Sequence, residues 1–157
     1  MVKSGQSKNK GKENIWIGDS GASCHMCNSI KNMYDVEMKK DSTTIVVGNG
    51  EEVTVTRYRK WKGMVKLKNR ETMLLKLSQV DYVPELMNNL FSITKAIEKG
   101  WTLGNSGNAI TLKNQSMELI FDHILKSPKG YVCGMDTSPP NKNTVCTNEI
   151  AAIMRDN

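Results

Sequence analysis

The chain has 157 residues, 38% of them hydrophobic and 24% charged, which is the composition of a folded domain and excludes an intrinsically disordered protein. No apolar run approaches the roughly 20 residues that cross a bilayer, so we expect a soluble, non-secreted protein with no membrane partner. The net charge of +6 is spread along the chain, which argues against nucleic-acid binding as the main activity, and four cysteines without the pattern of a disulfide scaffold indicate a reducing compartment.

The N-terminal part of the chain predicts a linker followed by a strand and a turn. Residues 1–14 are rich in Lys, Ser, Gly and Asn and offer almost nothing apolar to bury, so we expect a flexible basic linker. The apolar run Ile15-Trp16-Ile17 predicts a strand, and Gly18-Asp19-Ser20-Gly21 predicts the turn that ends it. The ordered part of the chain is therefore expected to begin at Ile15.

Two hairpins are predicted in the middle of the chain. The first has strands at residues 43–47 and 53–56, joined by the strong turn signal Gly48-Asn49-Gly50. The second is predicted across residues 57–70, where apolar residues and lysines alternate. Its arms are long enough to project from the body of the protein.

The second half of the chain predicts further strands around one helix. Residues 74–83 are extended in style up to Pro84, and residues 90–100 have helical spacing, a Ser near the start and a Gly at the end. Short strands are predicted at 101–103, 109–112, 117–121 and 131–133, and a weak helix at 148–157. The pattern as a whole is mainly β with one short helix.

The segment Gly18-Asp19-Ser20-Gly21 allows two catalytic interpretations. As the nucleophile loop of a chymotrypsin-like serine protease, it would use Ser20 to attack the scissile carbonyl. That interpretation fails because the general-base His of those enzymes lies upstream of the Ser, and none of the 19 residues before Ser20 is a His. The alternative makes Asp19 the catalytic group.

Catalysis by Asp19 requires a second carboxylate. Peptide hydrolysis without a metal or a covalent nucleophile uses two carboxylates that share a proton, one activating water as a base and the other polarising the carbonyl as an acid. The chain has one Asp-Ser-Gly loop, because Asp41, Asp81 and Asp136 are not followed by such a Gly. The second carboxylate is therefore expected from a second copy, in an isologous dimer with both Asp19 side chains at the axis.

Three motifs together indicate a family. An apolar strand with Trp16 leads into Asp-Ser-Gly-Ala-Ser and on to His25, a Gly-x-Gly turn follows at residues 48–50, and residues 83–92 read Val-Pro-x-Leu-x-x-Asn-Leu-Phe-Ser before a helix that ends at Gly100. In this order and spacing they resemble the retropepsin, the aspartic protease domain, of copia-type LTR retrotransposon Gag-Pol polyproteins. The resemblance covers about residues 15–135.

The resemblance implies a role for each residue of the catalytic loop. Asp19 would be the catalytic residue of each subunit. Ser20, Gly21 and Ala22 would support the loop, with Ser20 bonding across the dimer beneath the two carboxylates.

The resemblance also implies a flap and a hydrophobic support loop. Leu90 and Phe91 would form the loop that supports the catalytic turn. The flap that closes over the substrate would be the hairpin around residues 57–64, although it carries charged and aromatic residues where several glycines are usual. The predicted flap and substrate-binding residues are Arg57, Tyr58, Arg59, Lys60 and Trp61.

The architecture implied by the resemblance is a mainly β, retropepsin-like closed barrel subunit with one short helix and an extra C-terminal β-hairpin, in an obligate homodimer. The expected parts are a linker (1–14), a protease core (15–104), a hairpin extension (105–135) and a tail or spacer (136–157). The substrate would be the protein's own polyprotein, bound by strand addition in a cytoplasmic virus-like particle. No metal and no organic cofactor would be required.

Two other functions stay open at this point. A noncatalytic retropepsin-like or gag-pre-integrase module could bind protein or RNA, and the basic residues between 57 and 70 could touch RNA rather than form a solvated face.

The segment Cys24-His25-x-Cys27 also suggests a zinc site, which Cys133, Cys146 or His123 would complete. Adjacent Cys24 and His25 make tetrahedral closure awkward, so we expect these to be thiols without a metal and a structural His.

Overall fold

The structure, a computed structural model, describes residues 14–128 and 130–140. The predicted linker apart from Asn14, the predicted tail beyond Pro140 and the helix predicted at 148–157 lie outside these residues. Within the described residues the chain is mainly β with one short helix, which confirms the predicted class of fold.

Eleven strands and one helix form the described part of the chain. In order they are β1 (Ile15–Asp19), β2 (His25–Cys27), β3 (Met33–Val46), β4 (Glu52–Lys66), β5 (Thr72–Tyr82), β6 (Asn89–Ser92), α1 (Ile93–Glu98), β7 (Thr102–Ser106), β8 (Ala109–Lys113), β9 (Glu118–Phe121), β10 (His123–Ser127) and β11 (Gly130–Ser138). No helix among these residues combines the length and the hydrophobicity needed to span a membrane.

Eight of the strands form one large sheet. Their order is β10-β11-β1-β6-β2-β5-β4-β3, and neighbours are antiparallel except for the parallel pairs β1–β6 and β2–β5. β11 also pairs with β4, with Thr137 opposite Val65, so the sheet curves and brings its second and seventh strands together. β7, β8 and β9 form a separate antiparallel meander.

The predicted hairpin at Gly48-Asn49-Gly50 is confirmed, with longer arms than expected. Gly50 has a φ of 86°, a left-handed conformation that favours Gly, and the Asn49 side chain accepts the N–H of Glu51 at 2.9 Å. β3 begins at Met33, well before the predicted strand. The sequence did not predict this first part of β3, because residues 33–42 are mostly charged and exposed and lack the alternation that marks a half-buried strand.

The second hairpin predicted at residues 57–70 is wrong as a separate unit. β4 continues from Glu52 to Lys66 and pairs with β3 on one side and β5 on the other, so residues 57–64 lie in the middle of a strand. The chain turns only after Leu67, where Arg70 has a φ of 78°. The predicted apolar face is correct, since Trp61, Val65 and Leu67 are buried.

The region predicted as one extra hairpin contains more structure than that. Residues 105–135 include β8, β9, β10 and most of β11, and β11 continues past residue 136 to Ser138. β11 is also part of the large sheet, where it pairs with β1 and buries Met135. The sequence missed β10 and β2 because three to five residues with little alternation carry almost no strand signal.

Among the described residues, the buried apolar side chains form two clusters. The main core is centred on large side chains such as Trp16, Leu75 and Phe91, which have no exposed surface. A second apolar cluster lies under the β3–β4 hairpin and contains Cys24, Met26, Ile45, Val47, Val55 and Val83. The part of the hairpin near its turn therefore packs on the second cluster, whereas Trp61 and Val65 of β4 belong to the main core.

Candidate active site

Asp19 is the last residue of β1 and begins a short loop. Its Oδ1 accepts the backbone N–H of Gly21 at 2.7 Å, which fixes one oxygen of the carboxylate. A Cβ at position 21 would lie 3.3 Å from that oxygen, so Gly at this position leaves room for the carboxylate. The other two residues predicted to support the loop differ in exposure, because Ser20 is exposed and Ala22 is buried.

The loop after Asp19 is tied to the start of α1 by side-chain hydrogen bonds. Ser92 lies beside Asp19 in the parallel β1–β6 pairing, and its Oγ donates to the Ala22 carbonyl at 2.6 Å. Thr94 Oγ1 donates to the Ser20 carbonyl at 2.7 Å. Ser92 also caps the helix, since its Oγ accepts the N–H of Lys95 at 3.0 Å. The backbone that carries Asp19 is thus held at two carbonyls from one neighbouring segment.

The sequence marks Ser92 as the end of the 83–92 motif and as a helix start, but it does not reveal the contacts of Ser92 or Thr94 with the Asp19 loop. The signal for Ser92 was present, because a Ser before a helical run is an N-cap pattern. Its bond to Ala22, 70 residues away, depends on the parallel pairing of β1 with β6, which no local pattern reveals.

His25 is buried and bonded to the same segment. Its Nδ1 accepts the backbone N–H of Ser92 at 2.9 Å, and its ring packs on Phe91 with the ring centroids 4.6 Å apart. Burial, assisted by the nearby positive charge of Lys95, lowers the pKa of His25 from 6.5 to about 3. A neutral imidazole bonded to the backbone supports the loop and is not placed to activate Ser20.

The depressed pKa of His25 predicts a loss of stability in acid. The unfolded chain binds a proton at this residue below about pH 6.5 while the folded chain does not until about pH 3, so the free energy of unfolding falls as the pH drops between these values. The slope from this residue is about 1.4 kcal/mol per pH unit. Denaturant unfolding at several pH values should show this slope in the native protein.

Two substitutions check that the slope comes from His25. His25→Asn retains an acceptor for the Ser92 N–H without a titrating group, so the slope between pH 6 and 4 should flatten. His123→Gln, at a half-exposed His on β10, is the control and should leave that slope in place. Equal slopes in native protein and His25→Asn would contradict the assignment.

Asp19 borders an open cleft of about 680 Å³. One wall is the tip of the β3–β4 hairpin, at residues 47–49, and a second is the loop 85–88 together with Leu90. Ser127 and Val132, from β10 and β11, complete the lining beside Ile17 and Asp19. An extended chain segment laid in this cleft would pass between the hairpin tip and Asp19.

The predicted flap residues do not lie at this cleft. Arg57, Tyr58, Arg59, Lys60 and Trp61 are in the middle of β4, and none of them lines it. A strand paired on both sides is not a hairpin tip, so residues 57–64 do not form the hairpin on which the flap assignment was based. Of the predicted support residues, Leu90 lines the cleft and Phe91 is fully buried behind it, both in strand β6 rather than in a loop.

A buried ion pair that the sequence did not reveal lies near the loop. Lys39 of β3 and Asp81 of β5 are in contact, with Nζ 2.9 Å from Oδ1, and both side chains are almost fully buried. The Cys24 thiol donates to the other oxygen of Asp81 at 3.0 Å, and burial together with Asp81 raises the pKa of Cys24 to about 12. Lys39 stands in the charged run 35–41, where nothing marks one residue as buried.

The candidate zinc ligands Cys24, His25 and Cys27 are each hydrogen-bonded to a different partner. Cys24 is bonded to Asp81, His25 to the Ser92 backbone, and the Cys27 thiol to the Ser29 carbonyl at 3.1 Å. Within residues 14–128 and 130–140, no three side chains of His, Cys, Asp or Glu come together as a metal site. Cys146, one of the predicted alternatives, lies outside that part of the chain.

A comparison with protein families finds one family model that matches the part of the chain containing Asp19 and most of the cleft. The family model described as Pol polyprotein, beta-barrel domain matches residues 16–101, more than half of the chain. The match includes Asp19, the β3–β4 hairpin and Ser92, and leaves β7 to β11 outside it. No curated protein and no solved structure matches the chain. The chain therefore belongs to the family of Pol polyprotein beta-barrel domains.

Proposed function

We propose that this chain is the aspartic endopeptidase of a copia-type retrotransposon Pol polyprotein, a retropepsin-like closed barrel that cleaves its own polyprotein in a cytoplasmic virus-like particle. The observation that carries the proposal is the setting of Asp19. Its carboxylate stands at the end of a strand, on a loop held by Ser92 and Thr94, and borders an open cleft. A water molecule held by this carboxylate is free to approach a peptide carbonyl in the cleft.

The chemistry needs a homodimer. Among the described residues that line the cleft, the carboxylates are Asp19 and the exposed Glu85 on the loop after Pro84. In the proposed dimer the Asp19 carboxylates of two copies face each other, one ionised and acting as the base, the other protonated and acting as the acid. The exposed position of Ser20 supports this arrangement, because a partner loop can reach it.

The proposed flap is the tip of the β3–β4 hairpin rather than residues 57–64. Val47, Gly48 and Asn49 border the same cleft as Asp19. An extended polypeptide bound between the tip and Asp19 would be held by backbone hydrogen bonds, with specificity from alternate side chains. The walls at Leu86, Leu90 and Val132 favour apolar substrate side chains.

Activity is expected to depend on dimer formation. Below the dimer dissociation constant, the rate of cleavage should rise with the square of protein concentration, because each subunit carries half of the dyad. The measurement is the initial rate on a fluorogenic peptide from the polyprotein, over a dilution series with the association state followed in parallel. A rate strictly proportional to concentration in a demonstrated monomer would refute the shared site. An intact dimer that cleaves no polyprotein peptide would favour the noncatalytic binding module.

A further inference from the structure

The buried contact between Lys39 and Asp81 is unusual because both side chains are charged and hidden. Nζ of Lys39 lies 2.9 Å and 3.0 Å from the two oxygens of Asp81, and the exposed fractions of the side chains are 1% and 0%. Nζ also donates to Thr43 Oγ1 at 2.8 Å and lies 4.7 Å from the centroid of the Tyr58 ring. Burial of two charges has a desolvation cost that apolar residues avoid, so stability alone does not explain the pair.

The pair stands where the β3–β4 ladder is irregular. Met38 is opposite Arg57 and Thr43 is opposite Val55, so the β3 segment from Lys39 to Ser42 bulges out of the pairing. Beyond the bulge, residues 43–46 and 52–55 form what we call the distal hairpin, whose tip borders the Asp19 cleft. The bulge connects the distal hairpin to the rest of the sheet, and Lys39 is its first residue.

The same contact reaches the loop that carries Asp19. Cys24 follows that loop and immediately precedes β2, and its thiol donates to Asp81 Oδ2 at 3.0 Å. Cys24 is also part of the second apolar cluster, on which Ile45, Val47 and Val55 of the hairpin pack. One carboxylate, Asp81, therefore contacts both the base of the distal hairpin and the end of the Asp19 loop.

We propose that Lys39, Asp81 and Cys24 form a clamp that fixes the distal hairpin relative to the Asp19 loop and so sets the width of the cleft. The three residues are positioning residues and touch no reacting atom. Opening of the distal hairpin then requires Lys39 to leave Asp81, and Cys24 becomes accessible in the same event. The clamp itself is independent of any activity of the chain, whereas its effect on turnover rests on the proposed function.

Hydrogen exchange tests the clamp and does not require the protein to have the proposed endopeptidase activity. In the Asp19→Asn background, Lys39→Met/Asp81→Leu removes both charges and retains apolar bulk. We expect amides of residues 43–46 and 52–55 to exchange about tenfold faster, while those of β1 and β6 keep their protection. The matched control is Lys60→Met/Asp35→Asn, which removes an exposed ion pair of 3.6 Å between β3 and β4 and should leave the distal hairpin unchanged. Unchanged protection of the distal hairpin in the clamp variant would overturn the proposal.

A second measurement does not depend on the clamp variant folding. In Asp19→Asn protein with both clamp charges present, labelling of Cys24 by a small thiol reagent is followed by peptide mass spectrometry beside the exchange of the distal hairpin. The opening equilibrium from Cys24 labelling should agree within about threefold with that of the slowest hairpin amides. Hairpin amides that exchange through openings in which Cys24 stays unreactive would overturn the proposal.

The effect on turnover separates the clamp from the proposed function. In protein that retains Asp19, the Lys39→Met/Asp81→Leu substitutions should increase KM for a polyprotein peptide about fivefold or more and change kcat less. The reason is that a loose cleft wall weakens binding of the substrate more than it alters the pair of catalytic carboxylates. A variant that only lost folded protein would lower the rate at all substrate concentrations with KM unchanged, which would overturn the effect on turnover. If the native protein cleaves no peptide, the proposed function fails while the exchange result still decides the clamp.

Discussion

Asp19→Asn is expected to abolish peptide cleavage and leave the fold intact. Asn presents an oxygen that can still accept the N–H of Gly21, the bond that fixes Asp19 Oδ1 at 2.7 Å, but it can neither accept nor release the catalytic proton. We expect kcat to fall by about 10⁴-fold, with the melting temperature within a few degrees of the native value. Single-turnover cleavage of a polyprotein peptide and thermal unfolding of the same samples make the comparison.

Mixed dimers sharpen this test. When native and Asp19→Asn subunits exchange freely at equal concentration, about one quarter of the dimers are wholly native, so the mixture should retain about one quarter of the activity of the same total amount of native protein. Subunits that act alone would retain half. Half activity with demonstrated subunit exchange would therefore exclude a dyad built from two copies.

Ser20→Ala provides the matched control for the hydroxyl chemistry of the same loop. In the proposed dimer it removes one supporting hydrogen bond across the subunits, worth about 0.5 to 1.5 kcal/mol, so it should weaken the dimer and preserve part of the catalysis. The pH dependence of the native enzyme should be bell-shaped and describe the pair of carboxylates. Covalent labelling of Ser20 by a serine-directed reagent, with activity surviving in Asp19→Asn, would end the aspartic-protease proposal.

Phe91→Ala is expected to cause the largest loss of stability of the substitutions considered. Phe91 is fully buried, packs on His25 and Phe121 at centroid distances of 4.6 and 5.4 Å, and lies opposite Gly18, next to Asp19 in the β1–β6 pairing. Truncation leaves a cavity among rings that cannot collapse into it, so we expect a cost of about 3 to 5 kcal/mol and a fall in melting temperature of roughly 10 °C. The specific activity of the remaining folded protein should fall as well, since the strand beside Asp19 loses its support.

Ile97→Ala is the control for Phe91→Ala. Ile97 belongs to α1, the helix that follows β6, and about half of its surface is exposed, so removal of its side chain opens no internal cavity. Its cost should stay below about 1 kcal/mol. Equal melting temperatures for the Phe91→Ala variant and the native protein would contradict the placement of that ring in the core.

The sequence predicted the features that depend on local chemistry. Gly48-Asn49-Gly50 marks a turn whatever surrounds it, and the alternation through Trp61 and Val65 reveals which face is buried. The position of Asp19 after an apolar strand is also a local feature, and the structure places it at a cleft. These parts follow from the turn preferences and the two-residue period of a strand.

The errors concern partners that are distant in sequence. Whether residues 57–64 form a hairpin tip or the middle of a strand depends on β3 and β5 lying on either side, and the local pattern is the same in both cases. The Lys39–Asp81 pair could not be found for the same reason, because 42 residues separate two charges that meet only in the folded sheet. Short strands such as β2 and β10 are held by hydrogen bonds to the neighbouring strands rather than by the strand preference of their own residues.

The pairing of β1 with β11 has a consequence for the order in which the protein is made. Ile15 lies opposite Asp136, so the strand that ends at Asp19 gains one of its two neighbours only after about 120 further residues have left the ribosome. At synthesis rates of 5 to 20 residues per second, this delay is roughly 6 to 24 s. Strand β6 ends at Ser92 and is made earlier than β11, so β1 can pair with β6 before it can pair with β11. A nascent chain therefore carries the Asp19 loop before it carries the sheet that completes its surroundings, and maturation of the site follows synthesis of the C-terminal strands.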